Sequence, residues 1–174
     1  MVPPLPVLSE ITAGPPPFRG IRTIPKRAAA ARACRGRPIL RQVRAELTIE
    51  IARPPEDVFA YLTDVSNLPA WQTGVKGATL RNGRIEESRS LLGRELHTTL
   101  EIVDRKEPRV FTLRALNSPV PFAVRHELEP ADGGTRLTVI AEGDVPGFAA
   151  GLLSRRAEKQ FRKDFERLKQ ILES

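Results

Sequence analysis

Few side chains in this 174-residue chain have both the type and the setting for chemistry. The sharpest is His126. It shares a strand phase with Phe122, Val124 and Leu128, so alternation turns it inward. A neutral imidazole in an apolar pocket can orient a ligand carbonyl or act as an acid or base, which makes His126 the one candidate catalytic residue. It can equally be a core histidine bonded to backbone or to a tyrosine such as Tyr61, because buried polar groups are paired. The other histidine, His97, lies on the opposite phase from Leu96 and Thr98 and is expected at the surface.

Other enzyme signatures fail. Gly133-Gly134 reads as a hairpin turn, and Gly143–Gly147 is too short for a phosphate loop. No serine sits in a nucleophile-elbow context. Glu86, Glu87 and Asp64 fall on loops or edge strands and are expected to be solvated. The single cysteine, Cys34, allows no intrachain disulfide, and no Cys/His spacing suggests zinc. Neither a metal nor a cofactor is expected.

The elements that must position His126 are strands. Leu47, Ile49 and Ile51 alternate with Thr48, Glu50 and Ala52, which marks a strand with one buried face. After Trp71, strands are expected at 75–80, 84–91, 94–103, 109–116, 121–129 and 135–144. Asn82-Gly83 is a hairpin signal, and Gly93 marks a bulge or bend. Hairpin-linked strands of this kind form an antiparallel sheet with one buried face. From Pro146 the period changes. Phe148, Leu152, Ala157, Phe161, Phe165, Leu168 and Leu172 recur at threes and fours, with one slip of five. A long amphipathic helix after seven strands buries its face across the sheet.

The opening of this array is unusual. Pro54 and Pro55 end the first strand, and Pro55 suits the first turn of a helix whose positive end is complemented by Glu56 and Asp57. Val58, Phe59 and Leu62 give it an apolar face. Asp64 caps a second short piece that closes at Trp71. Residues 44–174 thus resemble the START/Bet v1-like superfamily (SRPBCC, polyketide cyclase/dehydrase-like). The echoes are Pro-Pro-Glu-Asp-Val-Phe at 54–59, Asn-Leu-Pro-Ala-Trp at 67–71, Glu-Pro-Ala-Asp-Gly-Gly-Thr-Arg-Leu-Thr at 129–138, and Phe-Glu-Arg-Leu-Lys at 165–169. The fold class this implies is α+β: a helix-grip fold, in which a seven-stranded antiparallel sheet wraps a long C-terminal helix, with two short helices after the first strand.

The resemblance also implies a cavity between the sheet and the long helix. Alternation nominates its lining: Phe111, Leu113, Phe122, Val124, His126, Leu128, Leu137, Val139 and Ala141 from strands, with Phe59, Trp71, Leu153, Ala157 and Phe161 from helices. Apolar periodicity marks burial rather than binding, so each can also be plain core.

Charge separates the chain into two parts. The formal net charge is +7. Residues 1–43 hold eight of the 28 basic residues and one of the 21 acidic ones, so twenty of each remain and cancel in residues 44–174. A neutral folded part with one Trp and one Tyr lacks the basic stripe of a nucleic-acid binder. Residues 1–43 also hold half of the sixteen prolines and no strand alternation, and are expected to be a disordered leader. A basic arm for an anionic partner, a targeting peptide and an upstream start codon all fit it; the last is favoured because the domain begins cleanly at Arg44. No apolar run approaches a membrane span, and the lone cysteine fits a reducing compartment, so a cytoplasmic location is expected.

Three functions remain open. The first is a carrier or sensor of a small hydrophobic or amphipathic ligand, favoured by the poverty of polar residues at inward positions. The second is an enzyme resembling polyketide cyclases or dehydrases, with His126 as the assisting group. The third is a protein-interaction module that uses the pocket rim.

Overall fold

The computed structural model describes residues 40–91, 94–118, 121–146 and 150–174. Along the chain come β1 (Leu40–Ile51), α1 (Pro55–Thr63), a 3-10 turn (Val65–Asn67), α2 (Leu68–Trp71), β2 (Val75–Arg81), β3 (Arg84–Leu91), β4 (Arg94–Lys106), β5 (Val110–Ala115), β6 (Phe122–Ala131), β7 (Gly134–Pro146) and α3 (Ala150–Glu173). The strands form one antiparallel sheet in the order β1-β7-β6-β5-β4-β3-β2. This is the helix-grip arrangement.

Local sequence explains the punctuation. Asn82 (φ 50°) and Gly83 (φ 73°) form the two-residue turn between the paired Arg81 and Arg84, and both take the positive φ that such a hairpin demands. Pro55 opens α1, Glu56 and Asp57 fill its first turn, and Val58, Phe59 and Leu62 are its buried residues. The Asp64 carboxylate accepts from the backbone N–H of Ser66 at 3.0 Å and from its hydroxyl at 2.7 Å, capping the 3-10 turn. These bonds hold its pKa below the ordinary value.

Two boundaries differ most from expectation. β1 begins at Leu40 rather than near Arg44, and its pairing with β7 runs from Leu40↔Pro146 to Ile51↔Thr135. Arg41, Gln42, Arg44 and Glu46 carry no apolar alternation, because at the sheet edge the backbone ladder, not side-chain burial, holds this half of the strand. Pro146 ends β7 instead of opening the last helix, which starts at Ala150. Of the leader assigned to residues 1–43, residues 40–43 belong to β1, and residues 1–39 lie outside the described residues, as does the bend assigned to Gly93.

The core lies between the sheet and the helices. Leu47, Ile51, Leu137 and Val139 from β1 and β7 pack with Val58, Phe59 and Leu62 of α1 and with Phe165 and Leu168 of α3. Polar contacts pin the end of α3 to the end of β1. Lys169 Nζ donates to the Glu50 carbonyl, Arg53 donates to the Leu172 carbonyl, and Glu173 accepts from the Ala52 N–H. That last bond lowers the Glu173 pKa.

Candidate functional site

Alternation along β3 to β6 turns one set of side chains toward α2 and α3, and the space left between them is a cavity of about 140 Å³. An apolar cavity of about 150 Å³ is known to accept one benzene. Its apolar wall comes from Leu68 and Trp71 on α2, Leu100 on β4, Leu113 on β5, Phe122 and Val124 on β6, and Phe161 and Phe165 on α3. Its polar members are Gln72, Glu87, Arg89, His126 and Asp164. A smaller void of about 20 Å³ adjoins it, with Trp71, Leu113 and His126 bordering both and Phe111 and Ile85 among its other walls.

His126 stands on β6 directly across from Phe111 on β5. It is buried, and its Nδ1 lies 3.0 Å from the Phe111 carbonyl oxygen. A carbonyl only accepts, so Nδ1 carries the proton and Nε2 keeps its lone pair. Burial pushes its pKa down to about 4, with the Phe111 hydrogen bond opposing that shift. The ring is therefore neutral at pH 7. His97 has a side chain 77% exposed, on the outer phase.

Glu87 is a correction. It was expected in solvent, but it is 4% exposed. Ile85, Glu87 and Arg89 share the inward phase of β3, so the burial of Ile85 requires the same of Glu87. Its carboxylate accepts from Arg89 Nε at 3.2 Å, and Arg89 also donates to Gln72 Oε1 at 3.0 Å. Asp164 faces this group from α3. Its Oδ1 accepts from the Thr73 N–H at 3.0 Å and from Gln160 Nε2 at 2.8 Å.

Aromatic rings hold the floor. Phe165 packs on Trp71 (centroids 5.1 Å), on Phe161 (4.9 Å) and on His126 (5.9 Å). Such aromatic pairs contribute about 1 kcal/mol each beyond area burial. Trp71 is 1% exposed, and its Nε1 is a buried donor without a hydrogen-bond partner.

Of the nominated residues, Trp71, Leu113, Phe122, Val124, His126 and Phe161 line the larger cavity, and Phe111 lines the smaller one. Phe59, Leu128 and Val139 are buried in the core but border neither void. The Phe59 ring meets Phe111 edge-on at 6.3 Å, under α1, where the helix fills the space between it and the sheet. Leu137, nominated with them, is likewise core, and Ala141 borders neither void. The side chains of Leu153 and Ala157 lie outside the described ones. Gln72, Glu87, Arg89 and Asp164 were missed. The shared phase with Ile85 could have found Glu87 and Arg89; nothing in the spacing points to Gln72 or Asp164.

Among the described residues, no three His, Cys, Asp or Glu side chains converge to hold a metal ion, and no helix is long and apolar enough to cross a membrane.

Solved structures share this architecture at low identity. A Rhodobacter sphaeroides protein is 21% identical with a TM-score of 0.62, covering 74% of this chain and 91% of its own. A START superfamily protein from Mycobacterium smegmatis is 16% identical with a TM-score of 0.60, covering 74% and 98%. The di-domain ARO/CYC BexL of the BE-7585A biosynthetic pathway is 12% identical with a TM-score of 0.65, covering 76% of this chain and 50% of that one. These likenesses show the fold. No curated protein matches the chain. The family described as polyketide cyclase/dehydrase and lipid transport matches residues 42–173, and the chain belongs to that family, within the START/Bet v1-like (SRPBCC) superfamily.

Proposed function

We propose that the protein binds a small hydrophobic or amphipathic molecule in this cavity, as a carrier or sensor. The observation that carries the reading is the hydrogen bond of His126. Its Nδ1 is tied to a backbone carbonyl and not to a second titratable side chain, so no partner is in place to drive its titration. A neutral ring with one open lone pair serves to orient a bound molecule. The aromatic wall supplies burial, and Leu113, Phe122, Val124, Trp71 and Phe161 are the proposed contacts. Mass spectrometry under native conditions, on protein purified from its own host, tests this. A retained small molecule that is lost from Val124→Trp, which fills the cavity, is the expected result. Equal retention by that variant would place the molecule elsewhere.

A second reading, a cyclase or dehydrase-like enzyme, draws on the Glu87–Arg89 pair, a buried carboxylate with a half-buried guanidinium on the cavity wall. The family description supports it in the same degree. Turnover of a reactive polyketide chain, lost in Arg89→Met, would favour this reading over the first.

A further inference from the structure

The polar end of the cavity carries an unbalanced charge. Arg89, the cation on its wall, is already engaged by Glu87, whose side chain is 2% exposed. Asp164 adds a second carboxylate. Its two partners, the Thr73 N–H and the Gln160 amide, are both neutral, and no cation pairs with it among the described residues. His126 is uncharged at pH 7 and offsets nothing. The wall thus holds one negative charge more than it neutralises. Beside Asp164, Phe161, Phe165 and Trp71 turn aromatic rings to the same space, and ring faces attract cations.

We infer that the cavity takes an amine: a ring-sized apolar body with a protonated nitrogen that pairs with Asp164 against the aromatic wall. This rests on the ligand-binding reading above and narrows it to one charge class. A carboxylate or phosphate in the same place would meet Asp164 without compensation, since the charge of Arg89 is taken by Glu87.

The test uses three probes with one ring and three charges: benzylamine, benzyl alcohol and benzoate. Trp71, the only tryptophan, reports binding by its fluorescence. At pH 7 benzylamine should bind tighter than the alcohol and about tenfold or more tighter than benzoate, the scale of a partly buried ion pair. Asp164→Asn keeps an acceptor for Thr73 and should bring the amine-to-alcohol ratio close to one. Glu87→Gln should release Arg89 and move the preference toward benzoate, which tests the same charge balance without touching Asp164. Benzoate binding as tightly as benzylamine, or an amine preference that survives Asp164→Asn, would overturn the charge assignment alone. If no probe, the alcohol included, gives a saturable response, the ligand-binding reading and this inference fall together.

Discussion

The Nδ1 of His126 and the carbonyl oxygen of Phe111 lie 3.0 Å apart on directly paired residues of β5 and β6. One hydrogen bond between neighbouring strands therefore fixes the ring's tautomer and leaves Nε2 as its open nitrogen. The sheet register holds the contact in place, so the ring is oriented before any ligand arrives. Pre-organisation of this kind lowers the ordering cost of binding.

Stability should fall with acid because of the same ring. The folded pKa of about 4 lies below the ordinary 6.5, so the unfolded chain binds the proton first. The contribution of neutral His126 is complete above pH 6.5 and is lost as the pH falls to 4, amounting to about 3 kcal/mol. Asp64 and Glu173, also lowered, lose their contributions only below their ordinary values of 3.8 and 4.5. Urea midpoints measured between pH 7 and 4.5 should therefore drop in the wild type and drop far less in His126→Phe. Parallel curves would show that His126 is not buried.

His126→Phe also separates carrier from enzyme. In a carrier the change removes one hydrogen bond and alters ligand affinity by about 1–2 kcal/mol at most. In an enzyme with His126 as acid or base it cuts turnover by about 100-fold or more while the ligand still binds. Isothermal titration beside a turnover assay reads both, and the carrier outcome is the expected one.

Gly134 carries the start of β7 past the end of β1. A Cβ there would collide with the Ile51 carbonyl oxygen and come within 2.9 Å of Ala52 Cα and Arg53 N, all of them backbone. Gly134→Ala should cost about 2–4 kcal/mol, because no side chain can swing aside. A thermal melt within a degree or two of wild type would show that the β1–α1 corner yields freely.

Removal of residues 1–39 should leave the melting temperature unchanged, the outcome expected from a composition so rich in proline and arginine. The same truncation should abolish any salt-sensitive binding to duplex DNA or RNA, because it leaves residues 40–174 with a net charge of only +1. A drop of several degrees, or nucleic-acid binding that survives truncation, would contradict one or the other expectation.

The sheet and helices were legible because β4 to β7 alternate cleanly and α3 repeats at threes and fours; the hairpin turn at Asn82-Gly83 and the cap at Asp64 carry their own local chemistry. The inward turn of His126 followed from its phase with Phe122 and Val124. The polar end of the cavity was not legible. Glu87 and Arg89 break the apolar alternation that defines an inward face, so a pattern search passes over them even though Ile85 fixes their direction. Gln72 and Asp164 come from different elements, and only the docking of α3 against α2 brings them together. The inward positions are consequently richer in polar groups than alternation implied, which weakens the compositional case for a carrier and shifts the weight to the geometry of His126.

The most direct test of the cavity is the ¹⁵N NMR of the imidazoles at pH 7 during a titration with benzyl alcohol. The chain has two histidines, one buried on the cavity wall and one exposed on the outer face of the sheet, so each spectrum contains its own control. The expected result is a saturable shift of His126 Nε2 with Nδ1 still protonated and His97 unmoved. Equal, non-saturating shifts of both rings, or an unmoved His126 at saturating alcohol, would contradict the claim that His126 faces a ligand-binding cavity.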